Sequence, residues 1–204
     1  MAQPTSRSFY AGVFIISGLL MALQVLQARI FSVTTWYHLS FLVISIAMFG
    51  LTLGALYAHK EDEATQRQNY GTLMTEASAR FGLFILLALI AQLRLPLAFA
   101  EALKTAIFLP LIAACTIPAY FYAGYVLSLA MTRAPFPSAR TYGFDLLGAA
   151  AGCLLTLAVM EAIDAPSAVL LVSAAALLAA RCFGPYEKKA CGHLCPDRRC
   201  GGCS

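Results

Sequence analysis

The sequence predicts an all-α fold: a polytopic membrane helix bundle of six transmembrane helices, with the N and C termini cytoplasmic. Three observations lead there. Apolar residues make up 60% of the chain and charged residues 12%, far more and about half, respectively, of what soluble domains carry. The apolar residues gather into six runs, 9–30, 39–58, 81–100, 106–131, 142–163 and 165–183. Each is near the length of about 20 helical residues that crosses a hydrocarbon core about 30 Å thick. Finally, alternating the sides of successive runs puts Arg7, Lys60, Arg67, Arg80, Arg133, Arg140, Arg181, Lys188, Lys189, Arg198 and Arg199 together, and only Arg29, Arg94 and Lys104 opposite. Cytoplasmic loops carry such an excess, and adding or removing one span would scramble it.

The net charge of +4 is absorbed by these loops and the tail, so it calls for no nucleic acid. The division expected is a six-span membrane domain over 1–183 and a Cys-rich cytoplasmic tail over 184–204, read as disordered.

Taken in order, the first span is too long for a secretory signal and lacks a small-x-small cleavage site, so it is read as retained. Ser17, Met21, Gln24 and Ala28 share one of its faces, with Gln27 beside them and Arg29 at the outer end. The connection that follows is aromatic (Trp36, Tyr37), as at a bilayer interface. The second span carries a small-residue stripe of Ala47, Gly50, Gly54 and Ala58, the usual chemistry of close helix packing in membranes. Mixed charges over 60–80, among them Glu61 and Glu76, read as a solvated loop. In the third span Gln92 and Arg94 precede Pro96, and the Arg94 stem can snorkel to the surface. The fourth contains Pro110 and Pro118; a kink is expected near Pro118, where a backbone donor is missing. Glu161 to Pro166 reads as a tight acidic turn between the last two spans.

The fifth span is the most specific. Arg140-Thr-Tyr142 leads to Asp145, Gly148 and Gly152, and Asp145, Gly148, Ala149, Gly152 and Thr156 stack on one helical face. The glycines read as packing positions. A membrane carboxylate must face protein or water, so Asp145 is expected to pair at the cytoplasmic end with Arg140, Arg133, Arg80 or Lys60. Arg29 is expected to meet Glu161, Glu101 or Asp164.

Three stretches together, Phe14 to Arg29, Phe49 to Gly54 and Arg140 to Gly152, resemble the membrane region of the fused transporter-like/spermidine synthase-like proteins of bacteria. The resemblance covers about 9–183, and its most specific piece is Arg-x-Tyr-x-x-Asp-x-x-Gly-Ala-x-x-Gly. Gln24 stands where that family commonly has an acid, and Gln27 where it has Trp. The resemblance implies a transporter-like bundle that precedes a cytoplasmic aminopropyltransferase-type domain with a Rossmann-like fold. The residues after Phe183 contain no strand–glycine-loop–helix unit to hold a nucleotide. No catalytic residue is therefore expected in this chain, and it is not expected to be an enzyme.

Cys191, Cys195, Cys200 and Cys203 crowd the tail. In a reducing cytoplasm such thiols favour metal over disulfides, and four can enclose a tetrahedral zinc. An iron–sulfur cluster is the other occupant, and a disordered peptide the alternative to both. No other cofactor is indicated.

The leading expectation is a non-catalytic integral membrane module of the spermidine synthase-like family in the bacterial cytoplasmic (inner) membrane. It would anchor or assemble with a partner, either a second copy or a separate cytoplasmic synthase-like subunit. The alternatives are a small transporter or channel for a cationic or small polar solute, and a metal- or redox-sensing membrane protein acting through the tail.

Overall fold

The computed structural model describes residues 4–34, 40–61, 70–94, 102–133 and 137–194, with side chains over 7–32, 41–61, 70–94, 110–133 and 137–183. These residues form six helices: α1 (Pro4–Thr34), α2 (Ser40–Lys60), α3 (Tyr70–Arg94), α4 (Ala102–Thr132), α5 (Ser138–Ala162) and α6 (Ala165–Leu194). All six are long and apolar enough to cross a bilayer, where backbone polar groups must be satisfied within the segment. The chain is a multi-pass, all-α membrane protein.

The helices associate as three principal pairs. Along α1 and α5, Phe14 faces Gly148 and Gly18 faces Gly152, so the two run parallel. Along α2 and α4, Gly50 faces Ile117 and Tyr120 while Gly54 faces Phe121 and Tyr125, again in parallel. The α3 and α6 helices meet where the Ser173 hydroxyl donates to the Gly82 carbonyl at 2.8 Å. Further contacts of α3 with α4 and of α1 with α6 join the pairs. Phe9, Val13, Ile16, Leu23, Phe81, Ile85, Leu129 and Val169 fill the shared core. Lipid is as apolar as these side chains, so packing and dispersion hold the bundle, not expulsion of water.

One end of the bundle is well defined. The Ser8 hydroxyl donates to the Cys182 carbonyl at 2.6 Å. Phe9 meets Phe183 edge-on at 6.3 Å and Tyr70 at 6.4 Å, and Tyr10 stacks on Phe144 at 4.9 Å. The starts of α1, α3 and α5 therefore lie beside the end of the sixth span. Arg7, Lys60, Arg133, Arg140 and Arg181 belong to this basic end, and Arg29 and Arg94 to the opposite one. Cysteines introduced at Lys60 and Arg140 should react with an impermeant maleimide from one side of the membrane, and those at Arg29 and Asp164 from the other. Labelling of Arg140 and Asp164 from a single side would refute six crossings.

The third span differs from expectation. Helix α3 spans Tyr70–Arg94, starting about three turns earlier than the run 81–100. Tyr70, Met74, Ala77, Ser78 and Phe81 recur at helical spacing and are buried, while Glu76 and Arg80 face outward and pair at 3.0 Å. Of the charges expected to mark a loop, Glu76 and Arg80 instead form a solvated stripe on an amphipathic helix start. Helix α4 is continuous through both Pro110 and Pro118. The last helix also continues past Phe183, through Gly184 and Pro185, to Leu194. The expected tail thus begins in helical backbone, and residues 195–204 lie outside the described residues.

Candidate functional site

The residues singled out in the sequence fall into two glycine-lined helix contacts and two polar clusters, one at each end of the bundle. In the first contact, a Cβ on Gly148 would overlap the Phe14 carbonyl, and one on Gly152 the Gly18 carbonyl. A Cβ on Gly18 would lie 2.9 Å from the Gly148 oxygen. The second contact is built the same way: a Cβ on Gly54 would overlap the Phe121 carbonyl, and one on Gly124 would sit 2.5 Å from the Leu51 oxygen. Small residues at these four-residue steps let backbones approach where any side chain would separate them.

At the basic end, the Ser17 hydroxyl donates to the Asp145 carbonyl at 2.8 Å, tying α1 to the same face of α5. Asp145 itself is half-buried, and its Oδ1 is shut from solvent with no hydrogen-bond partner among the described residues. Among the described residues no ion pair joins it to Arg140, Arg133, Arg80 or Lys60; Arg80 pairs with Glu76 instead. Arg140 and Tyr142 are exposed. Arg140 sits near the start of a helix that begins at Ser138, where its long side chain can reach the aqueous surface. Arg29 is likewise exposed and makes no ion pair with Glu161 or Asp164; Glu101 lies outside the described residues.

Two polar contacts have partners that the sequence did not identify. At the opposite end, the Gln92 amide donates to the Gln27 carbonyl oxygen at 2.7 Å, joining α3 to α1. Gln27 is 1% exposed, whereas Gln24 is half-buried. At the basic end, the Tyr125 hydroxyl donates to Glu61 at 2.6 Å, with Tyr57 packed 5.9 Å from the Tyr125 ring. Next to it the Arg80 guanidinium lies 5.8 Å above Tyr122, close enough for a cation–π contact. The spacing of Gln27 and Gln92 from the ends of their spans signals that they share a depth. Nothing comparable marks Glu61, which stands in a run of mixed charge.

Between α5 and α6, with α1 as its floor, lies an apolar cavity of about 390 Å³. Phe14, Gly18, Leu26, Leu155, Leu171 and Val172 line it. Helices α5 and α6 are joined by a tight turn but touch little beyond it, and α5 is held almost wholly by α1. Only 11% of the α5 spanning window is buried, against 50% for α1.

Among the described residues no three of His, Cys, Asp and Glu converge as metal ligands. The side chains of Cys191, Cys195, Cys200 and Cys203 lie outside the described residues, and so does the proposed zinc site. Comparison with known proteins finds no matching family model, no similar curated protein and no similar solved structure.

Proposed function

We propose that this chain is a non-catalytic membrane assembly module, in which α5 and the apolar cavity beside it receive a membrane-spanning helix of a partner. The observation that carries this reading is the cavity. It is large, apolar and floored by α1, and its two walls are helices that leave each other free. Gly18, Gly148 and Gly152, already spent on seating α5 against α1, edge it, while Ala151 on α5 and Ala168 and Ala175 on α6 line its walls, small side chains of the kind that let membrane helices approach closely. Leu154, Leu155, Leu170 and Leu171 stand exposed around it, offering an incoming helix dispersion contacts at little conformational cost.

The resemblance to the spermidine synthase-like family suggests what such a partner brings: a second copy of the bundle, or a cytoplasmic synthase-like subunit anchored through its own helix, in a bacterial inner membrane. A photo-crosslinking side chain at Leu155 or Leu171 should capture one discrete protein partner in native membranes, while the same group at Leu56 on α2 should not. The mass of the adduct separates a second copy from a larger subunit. Crosslinks from Leu155 and Leu171 to lipid alone would dispose of the module.

A further inference from the structure

We propose that Thr141 and Asp145 form a binding site for a monovalent alkali cation, near the basic end of the α1–α5 contact. This inference is independent of the assembly reading. Threonine hydroxyls in membrane helices ordinarily satisfy themselves by donating to the carbonyl four residues earlier. Those of Thr52, Thr75, Thr116, Thr132 and Thr156 do so here, at 2.7–2.9 Å. Thr141 does not. The Pro137 carbonyl it would use already accepts the Arg140 and Thr141 backbone N–H groups, at 3.0 and 3.3 Å. The Thr141 side chain is fully buried, 0% exposed, and its Oγ1 has no hydrogen-bond partner among the described residues.

One turn further along the same helical face stands Asp145, whose Oδ1 is equally shut away and equally without a partner. Residues four apart have Cβ atoms about 5–6 Å from each other, and helical side chains lean toward the N-terminus. The carboxylate therefore leans over the turn that carries Thr141. Two buried oxygens on one face that do not bond to each other, with no cationic side chain paired to the carboxylate among the described residues, offer a cation two oxygen ligands and a charge to balance.

The donor set selects the occupant. Carboxylate and hydroxyl oxygens are hard ligands and exclude thiophilic metals. Calcium takes six to eight oxygens, usually with several carboxylates, and magnesium keeps most of its water. A single carboxylate balances a single charge, so a divalent ion would leave a net charge where the bilayer disfavours one. The site is reachable: Asp145 is seven residues beyond Ser138, about 10 Å along the helix.

The test uses the purified full-length chain in detergent, with radioactive sodium as the probe. Saturable binding near one ion per chain is expected, competed by lithium and sodium but not by choline or magnesium. Asp145→Asn should abolish binding. Thr141→Val, which keeps the shape of the buried side chain, should weaken it severalfold, and Thr141→Ser should restore it; this series decides the matter even where Asp145→Asn fails to fold. Absence of saturable binding, equal competition by choline, or full binding by Thr141→Val would each overturn the site.

Discussion

Gly54→Leu and Gly152→Leu should each collapse the detergent melting transition of the protein, whereas Gly143→Ala should preserve or raise it. The contrast follows from what stands beside each glycine. A side chain at Gly54 must displace the Phe121 backbone and one at Gly152 the Gly18 backbone, while a Cβ at Gly143 meets nothing within 4 Å. Where flexible side chains can yield, overpacking costs about 1–3 kcal/mol. Here the obstacle is a partner helix's main chain, so the whole helix must back away and lose its other contacts. At Gly143 the helix gains roughly 1 kcal/mol of intrinsic propensity instead. Melting temperatures of the three variants, measured side by side, check the ordering, and an unchanged Gly152→Leu would mean that α1 and α5 are not in contact.

The second large effect is expected at Gln27. Replacing it with Leu removes the only recorded partner of the Gln92 side chain and leaves that amide inside the bundle. An orphaned buried polar group costs about 1–3 kcal/mol. Gln92→Leu should cost a similar amount, and the double variant much less than the sum, because two leucines leave nothing to satisfy. A double-mutant cycle on unfolding free energy should give a coupling on the order of 1 kcal/mol, the usual scale between membrane helices. Additive losses would instead mean that the two amides act separately.

How legible these features were depends on what kind of signal each one left. Five of the six helices lie close to the apolar runs, since bilayer thickness imposes both length and composition on any crossing segment. The helix starting at Tyr70 was obscured because its first turns are half solvated. Glu76 and Arg80 dominate the local composition, and only the spacing of Tyr70, Met74, Ala77 and Phe81 betrays the buried face. The glycine stripes were legible as packing positions, because no other common role suits small residues at those intervals. Their partners were not, since pairing α1 with α5 and α2 with α4 is a choice among neighbours that local pattern does not encode. Asp145 was recognised as a carboxylate that must face protein. The expectation of an arginine partner failed because Arg140, close to the start of its helix, turns to solvent.

The parallel pairing of helices distant in sequence has a consequence for how the protein is made. Helix α1 leaves the ribosome well over a hundred residues before α5, the helix that closes on Gly18, and α3 precedes its own, antiparallel partner α6 by nearly as much. During that interval the glycine faces of the early helices must wait in the bilayer, occupied by lipid or by an insertion chaperone. Contacts between segments so far apart in sequence are slow to close. A chain released before its fifth helix would expose the bare face of α1, which gives membrane proteases a simple mark of an unfinished molecule.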